Sequence, residues 1–526
     1  MKSRFAIIAS LASLIVAPAA SALTTEELLD AVQERAFDYF WEQANPANGL
    51  IKDRSTPGSP ASIAAVGFGL TSIAIGVDHG WVTREDAAAR VLTTLETFWN
   101  GPQGAGSSGT IGYQGLFYHF LDMTTATRTW SCELSTIDTA LLMAGVLDAK
   151  HYFDGVDATE TQIRALADSL YERVDWEWAR NSGVGIRMGW TPETGFGGFG
   201  TWVGYNEAMI LYILALGSPT HPIPASTWFT WTSGYVWNFH YGYEYVQFPP
   251  LFGHQYSHCW IDYRFIQDVY MANRGSTYYE NSRRATYAAR EYCIANPGGW
   301  VGYGPDLWGL TASDDPSGYV AHGAPPPQND NGTITPTAAI SSIPFAPEIV
   351  IPAMHHMYDV YGPGLWATYG FKDAFNPTVG WYATDYLGID QGPIAIMIQN
   401  YYDASVWERF MQEPAVQTGL TRATFTAATD VHVAEGPESA WLMLAQNAPN
   451  PFSEATSISY EIARDADVSI ELFDVAGRRV RVLDAGHRAA GRHVIRLGAT
   501  DLANGVYYYR LRSGDTWEGK KCILLR

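Results

Sequence analysis

Acidic side chains in four short segments are the residues best suited to chemistry. The candidates are Glu133 with Asp138, Glu207, Asp390, and Asp53 with Arg54. Two carboxyl groups that face one cleft can act as general acid and general base. Glu133 and Asp138 are five positions apart, which on a helix corresponds to about 140° of rotation, so they can face the same way only if Glu133 precedes the helix.

Each candidate also has a purely structural interpretation. Asp138 suits a hydrogen-bonded carboxyl that joins buried helices, because a long apolar run follows it. Glu207 suits an acid in the first turn of a helix, where it complements the helix dipole. Asp390 stands before Gly392-Pro393 and reads as an N-cap. Asp53 and Arg54 are typical of a structural ion pair.

Other chemistries lack their defining residues. The glycine-rich segment 195–200 has no P-loop lysine and no strand before it. No GxSxG segment occurs. His355 and His356 have no ligand-spaced partner beyond Asp359, so we expect neither a metal ion nor a cofactor.

The composition favours a large folded protein with an acidic surface. The 526 residues carry 33 Lys and Arg against 54 Asp and Glu, a net charge of −21, which argues against a nucleic-acid partner. Aromatic residues make up 14% of the chain, and several lie beside glycines in predicted loops. Paired acids in an acidic cleft lined by tryptophan suit glycoside hydrolysis. A large aromatic core is the alternative interpretation.

The hydrophobic pattern predicts a helical body over residues 23–411. Ten or more helical segments are separated by loops rich in Gly, Trp and Pro. Several of them, such as 209–216, are apolar on every side and must be covered all round. An all-α (α/α) toroid, with buried inner helices, amphipathic outer helices and loops over one end, meets this need. A helical solenoid is the alternative, but no short repeat of fixed period appears.

The first residues predict export. Lys2 and Arg4 precede an apolar run, and Ala20-Ser21-Ala22 fits a cleavage site, so we expect a signal peptide over 1–22 and a mature chain from Leu23. Export permits disulfides. The four cysteines allow three pairings, and buried free thiols are the alternative; they are Cys132, Cys259, Cys293 and Cys522.

The final part of the chain has a different pattern. Residues 412–445 show little periodicity and predict a linker. From residue 446 apolar and polar residues alternate in segments such as 468–473 and 506–511, which is typical of a small β-sandwich.

Longer motifs resemble a known family. Between about 23 and 411 the chain resembles the glycoamylase-like domain of glycoside hydrolase family 144, and residues 446–526 resemble the type IX secretion sorting domain and its immunoglobulin-like fold. The motifs that carry the first resemblance lie at 115–123, 135–142, 204–209, 216–222, 331–339, 342–348 and 388–393; those of the second lie at 447–452, 473–478 and 503–507.

The resemblance implies an (α/α)6 barrel that hydrolyses β-1,2-glucan, mostly from within the chain, with inversion at the anomeric carbon. It implies Glu207 as general acid and Asp390 as general base, with a substrate hydroxyl relaying the proton. Residues implied to hold the sugar are Asp138, Glu133, Asp53, Arg54, Trp202, Tyr205, His254, Gln255, Trp260, Arg264, Trp308 and Gln391.

The resemblance leaves several functions open. An exo-acting β-1,2-glucan hydrolase, a glucoamylase-like hydrolase of another glucan, and a surface protein that binds glucan without cleaving it all suit the same residues. A similar domain occurs in cyclic β-1,2-glucan synthases. The expected partners are the glucan and, through the tail, the secretion machinery; we expect a monomer at the cell surface, in the periplasm or outside the cell.

Overall fold

Helices form the first part of the chain and strands form the last. The computed structural model describes residues 23–428, 442–462, 465–474, 478–489, 491–513 and 516–526. The predicted signal peptide lies outside the described residues, as does part of the predicted linker. None of the described helices has the length and apolar character needed to cross a bilayer.

Sixteen α-helices lie between residues 23 and 428. They are α1 (Thr25–Glu42), α2 (Ile63–Asp78), α3 (Arg84–Asn100), α4 (Thr136–Tyr152), α5 (Ala158–Arg173), α6 (Trp176–Ala179), α7 (Met209–Gly217), α8 (Ser226–Thr232), α9 (Val269–Ala272), α10 (Tyr278–Ala295), α11 (Pro336–Ile340), α12 (Pro347–His356), α13 (Gly362–Leu365), α14 (Gly388–Tyr402), α15 (Ser405–Phe410) and α16 (Pro414–Arg422). Two 3₁₀ turns at Leu251–His254 and Tyr256–Cys259 and a π-helical turn at Met357–Tyr361 complete the set.

The helices that are buried along most of their length include α2, α4, α7 and α14. Close approach of α2 and α4 depends on Gly67 and Gly145. A Cβ on Gly67 would collide with the backbone of Leu141 and Leu142, and one on Gly145 would collide with the backbone of Gly67. Two helices can meet this closely only where neither carries a side chain at the contact.

Amphipathic helices cover this interior. Thr24 caps α1 in a capping box with Glu27. α1 packs on α2 and α14, and α3 packs on α5. Apolar residues of α3, such as Val91 and Leu95, face inward, while Glu85 faces solvent.

The helical body extends beyond residue 411. The predicted linker begins too early, because Pro414–Arg422 form α16 and Thr426–Ala427 pair with Ile266–Gln267. Gly419 meets the backbone of α7. The pattern was hard to recognise because the helix is only nine residues long and buries four residues, Ala415, Val416, Gly419 and Leu420.

Short antiparallel strands brace the loops. Leu134–Ser135 pair with both Leu116–Tyr118 and Gly189–Trp190, which fixes the loop before α4. The remaining short strands are Ala61–Ser62, Gly112–Tyr113, Phe120–Leu121, Trp237–His240, Tyr243–Val246, Ala312–Asp315, Gly318–Ala321, Trp366–Ala367, Gly370–Phe371, Phe375–Asn376 and Trp381–Tyr382.

Two antiparallel sheets share one apolar core in the tail. The three-stranded sheet has the order Leu442–Leu444, Ala455–Ile462, Gly491–Gly498. The four-stranded sheet has the order Arg479–Arg488, Ala466–Asp474, Gly505–Ser513, Thr516–Leu524. Alternate residues such as Ile470 and Leu511 face the core, which is the pattern that the sequence predicts.

Candidate active site

The candidate carboxylates gather where buried helices begin. Asp138 and Asp390 lie in the first turns of α4 and α14, and Glu207 precedes α7. The loop before α2 joins them, since the Gly388 amide donates to the Asp53 carbonyl at 2.8 Å. Helix N-termini carry partial positive charge, which favours a cluster of acids at this end of the body.

Glu207 lies two residues before α7 rather than in its first turn. The Asn206 side chain accepts a hydrogen bond from the Ala208 amide at 2.9 Å, and this turn keeps Glu207 outside the helix. The side chain is packed by protein yet keeps part of its surface open to solvent. Burial raises the pKa of Glu207 to about 7, and the charge of Asp138 adds to the rise.

Asp390 is the third residue of α14, so the N-cap interpretation is wrong; Leu387 occupies the cap. Asp390 and Asp373 are 3% and 2% exposed. The Asp314 amide donates to Asp373 at 2.7 Å. Asp373 Oδ1 and Asp390 Oδ2 receive no hydrogen bond from any other described group. The two carboxyl groups therefore hydrogen-bond to each other through a proton carried by one of them.

Burial changes the titration of this pair. A helix start favours an ionised carboxyl, but burial and the neighbouring Asp373 raise the pKa of Asp390 well above its ordinary range. Burial raises the pKa of Asp373 as well. Two buried carboxylates in contact repel each other, so the pair retains one proton and one negative charge.

Tyr256 links the two candidate catalytic acids. Its hydroxyl donates to the Ile389 carbonyl at 3.1 Å, beside Asp390. The next residue, Ser257, donates to the Glu207 carbonyl at 3.2 Å. Burial raises the pKa of Tyr256, with the charges of Asp390 and Glu207 adding to the effect, so both acids lie near its ring. Glu207 and Asp390 therefore flank one tyrosine.

His119 joins Glu133 to Asp138. Its Nδ1 lies 2.9 Å from Glu133 and its Nε2 lies 3.5 Å from Asp138. Glu133 precedes α4, which is the condition under which the two acids can meet. Burial alone would lower the pKa of His119, but Asp138 and Glu133 outweigh it and raise the pKa to about 9.

The same three residues are the described group whose ligand atoms could surround a metal ion, all within 4.8 Å of one another. Both ring nitrogens of His119 already face carboxylates. A protonated imidazole donates to two carboxylates at once, whereas a metal ligand must offer a free lone pair. The geometry therefore suits an imidazolium between Glu133 and Asp138.

Arg54 binds three carboxylates at the edge of the site. Its Nη1 lies 2.9 Å from Asp314 and 3.3 Å from Asp385, and its Nε lies 3.4 Å from Asp53. A cavity of about 430 Å³ opens beside this cluster. Its lining includes Arg54, Asp314, Asp315, Tyr319, Trp381, Tyr382 and Asp385. Charged groups beside aromatic faces are typical of sites that bind a polar ring.

Tyr319 stands over the acids on the hairpin Ala312–Asp315 and Gly318–Ala321. Its side chain is half exposed, at 49%. Desolvation raises the pKa of its hydroxyl, and the charges of Asp390, Asp373 and Asp53 add to this. The ring therefore lines the cavity near the acid cluster and keeps half of its surface open to solvent.

Several residues that the resemblance implied are packed in the core. His254 and Gln255 are fully buried, and Gln255 donates to Ala338 and Ser342 at 2.8 Å. Trp260 donates to Thr71 at 2.9 Å. These contacts are structural. The full set of implied residues that are buried in the core is His254, Gln255, Trp260, Trp308 and Gln391.

Arg264 lies far from the acids. It pairs with Asp262 at 2.8 Å and stacks on Trp407 at 4.6 Å. Trp407 follows the C-terminal end of α14, whereas Asp390 lies near its start, and a helix of this length spans about 20 Å. Arg264 therefore serves the opposite end of the body.

Trp202 and Tyr205 support the site from behind. Trp202 is 8% exposed and donates to Thr136 at 3.0 Å, at the start of α4. Tyr205 is 4% exposed and stacks against Tyr278. Both position neighbours of the carboxylates and leave little surface for a ligand.

Sequence reasoning gave no role to six residues of the site. Asp314 lies in a short strand and Asp373 in a loop, neither within a motif, and a separation of 59 residues hides their contact. His119 lies in a segment that carries the resemblance, which was the available signal. The six are His119, Tyr256, Asp314, Tyr319, Asp373 and Asp385.

All four cysteines are buried free thiols. This confirms the alternative to a disulfide for the described residues.

Comparisons with known proteins identify the family of this chain. A family model described as "Putative glucoamylase" matches residues 200–414. An endo-β-1,2-glucanase from Chitinophaga pinensis is 32% identical, with a TM-score of 0.71, and the match covers 77% of this chain and 99% of that one. The chain belongs to the glycoamylase-like proteins of glycoside hydrolase family 144.

Other relatives of this family 144 protein differ in length. The structure of a "putative glucoamylase" from Bacteroides uniformis is 37% identical, with a TM-score of 0.71, and the match covers 77% of this chain and 98% of that one. An exo-β-1,2-glucooligosaccharide sophorohydrolase from Parabacteroides distasonis is 33% identical over 76% of this chain. The chain spans 58% of the length of that curated relative.

A second family model, the secretion system C-terminal sorting domain, matches residues 448–525. The strand-rich tail is therefore a sorting domain.

Proposed function

We propose that this protein is an exported hydrolase that cleaves β-1,2-glucan within the chain and inverts the anomeric carbon. The observation that carries the proposal is the pair of acids around Tyr256. Glu207 keeps its proton up to neutral pH and is open to solvent, whereas Asp390 belongs to a buried pair with one negative charge. Environments that separate two carboxyls in this way suit an acid and a base.

Glu207 would act as the general acid. It would donate its proton to the glycosidic oxygen as the bond between that oxygen and the anomeric carbon breaks. A pKa of about 7 leaves the carboxyl protonated at acidic pH and half protonated at neutral pH. The solvent-open side of Glu207 gives the leaving sugar room to depart.

Asp390 would act as the general base through its pair with Asp373. The pair can accept one proton because it carries one negative charge. Asp390 is 3% exposed, so little of it is accessible to bulk water. This burial supports a relay, in which a hydroxyl of the bound sugar takes the proton from the attacking water and passes its own proton to Asp390. The water would attack the anomeric carbon opposite the leaving oxygen, which inverts the configuration.

Residues around the acids would hold the sugar. Asp138 with Glu133, kept in place by His119, would accept hydrogen bonds from hydroxyls at the cleavage point. Asp53 and Arg54 would bind hydroxyls at the mouth of the cavity, where Trp381 offers a ring face.

We infer that the two layers of helices form an (α/α)6 toroid and that the tail has an immunoglobulin-like fold. Four buried helices with amphipathic helices outside support the first. Two antiparallel sheets around one core support the second. The sorting domain supports export through the secretion machinery.

Internal cleavage is the preferred mode, and exo action is the second candidate. The match with the endo-acting enzyme covers 99% of that chain, whereas this chain spans 58% of the exo-acting relative. The identity of 33% to the exo-acting relative supports the second candidate.

Product analysis separates these functions. Pure protein is incubated with linear β-1,2-glucan, starch and laminarin, and products are sampled from the first minute. We expect sophoro-oligosaccharides of mixed length from β-1,2-glucan alone. Disaccharide alone from the start would indicate the exo-acting mode, and hydrolysis of starch or laminarin instead would overturn the linkage. Binding of glucan without products would indicate a non-catalytic protein.

A further inference from the structure

Trp130 is the most exposed tryptophan of residues 23–428, at 67%. Trp99 follows at 38%, and its ring lies under the Arg173 guanidinium. A single exposed aromatic residue is common on a protein surface and does not by itself indicate a function. What distinguishes Trp130 is the turn that presents it and the row of rings that connects it to the site.

The backbone at Trp130 is unusual for so large a side chain. Trp130 and Ser131 have φ of 56° and 53°, and the Cys132 amide donates to the Thr129 carbonyl at 3.2 Å. Two left-handed residues in a tight turn favour glycine or asparagine. A bulky residue persists there only if the surrounding structure enforces the turn.

Arg128 enforces this turn from below. Its side chain is 1% exposed and pairs with Glu193 at 2.8 Å. It donates to the Cys132 carbonyl at 2.7 Å and to the Ser131 carbonyl at 2.8 Å. A side chain presented by a fixed turn loses little freedom on binding a ligand, which increases affinity.

An aromatic row connects Trp130 to the acids. The Trp130 ring lies 5.3 Å from Phe120, and Phe120 stacks on His119 at 3.9 Å between ring centres. His119 in turn bonds to Glu133 at 2.9 Å. Trp130 is thus the solvent end of a continuous row whose other end lies among the candidate catalytic residues.

We propose that Trp130 is the platform for a glucosyl unit of the substrate chain, beyond the sugars held at the point of cleavage. The inference rests on the proposed function. The C–H face of a pyranose ring packs on the flat indole, while its hydroxyls stay at the rim in water. Trp130 would thus favour long chains over short oligosaccharides without taking part in bond cleavage.

The test compares Trp130→Ala, Trp130→Phe and the control Trp99→Ala. The substrates are long linear β-1,2-glucan and the shortest sophoro-oligosaccharide that the unsubstituted enzyme cleaves. For Trp130→Ala we expect KM on the long glucan to rise roughly 2- to 12-fold, the factor typical of one aromatic contact, with kcat unchanged. Kinetics on the short substrate should stay the same, Trp130→Phe should recover most of the loss, and Trp99→Ala should match the unsubstituted enzyme.

Two results would overturn the platform. An equal loss on short and long substrates would mean that Trp130 only supports His119 and Glu133. An unchanged KM on both would mean that no sugar rests on it.

A binding experiment separates failure of this inference from failure of the proposed function. Glu207→Gln, with and without Trp130→Ala, is titrated with long β-1,2-glucan. A weaker affinity in the double variant supports the platform even if the unsubstituted protein proves non-catalytic. Equal affinities reject the platform while the hydrolase proposal stands, and absence of glucan binding rejects both.

Discussion

Replacing Glu207 by Gln tests the acid assignment through two independent consequences of its burial. At pH 7 a carboxyl with a pKa of about 7 is half protonated, whereas one at the ordinary 4.5 is protonated to roughly 0.3%. Burial therefore increases the working form of the acid by roughly a hundredfold at neutral pH. We expect kcat/KM of the unsubstituted enzyme to fall about tenfold per pH unit above 7.

The substitution should remove both the rate and this pH limb. Glu207→Gln cannot donate a proton, so kcat should fall at least roughly a hundredfold. Hydrolysis of linear β-1,2-glucan is measured from pH 4 to 9, with Glu85→Gln as the control, because Glu85 is exposed on α3. A near-normal kcat in Glu207→Gln, or the same alkaline limb in its residual activity, would refute the assignment.

Glu207→Gln should lower the rate but raise the thermal stability at alkaline pH. The pKa of Glu207 is higher in the folded chain than in the unfolded chain, so the folded state binds more protons between pH 4.5 and about 7. Stability contributed by that proton is present below pH 4.5 and is lost as pH rises to 7, a change of at most about 3 kcal/mol. Glu207→Gln should therefore have the higher Tm at pH 8 and lose this advantage at pH 4. An equal Tm at pH 8, in a scan that resolves the helical body, would contradict the burial of the carboxyl.

Three further outcomes are expected. Asp373→Asn offers Asp390 an amide donor and removes a negative charge, so the pKa of Asp390 should fall. The acidic limb of the kcat profile, where the base becomes protonated, should therefore move to lower pH by about one unit or more. An acidic limb at the same pH would mean that Asp373 does not influence the base. Asp138→Asn removes a charge that raises the pKa of Glu207, so the alkaline limb should move to lower pH, and a move to higher pH in a pH–rate profile would contradict this. Deleting residues 446–526 should leave kcat on β-1,2-glucan within about twofold and abolish surface or extracellular delivery, measured by cell fractionation; loss of hydrolysis in the folded truncation would show that the tail serves catalysis.

The helices and the tail strands could be predicted because their signals are local. Thr24 and Glu27 mark the start of α1, and alternation marks strands such as Ala466–Asp474. The apolar character of α7 predicts that it is covered on every side. Capping, periodicity and hydrophobicity act over a few residues, so they can be read along the chain.

The site was only partly predictable. Glu207, Asp390 and Asp138 were identified as candidates because acids beside apolar helices are conspicuous. His254 and Trp260 were expected near the sugar, but their residue types suit a core equally well, and the structure buries both. Exposure depends on what packs against a residue, which the sequence does not state.

The sequence by itself determined a helical body followed by a sorting tail, and it identified an acidic candidate in each relevant helix start. Only the tertiary structure decided the protonation of those acids. Asp373 meets Asp390 and His119 joins Glu133 to Asp138 through loops that the chain brings together. Burial and neighbouring charge set a pKa, and both arise from residues distant in sequence, so the chemistry of this site follows from packing rather than from any one motif.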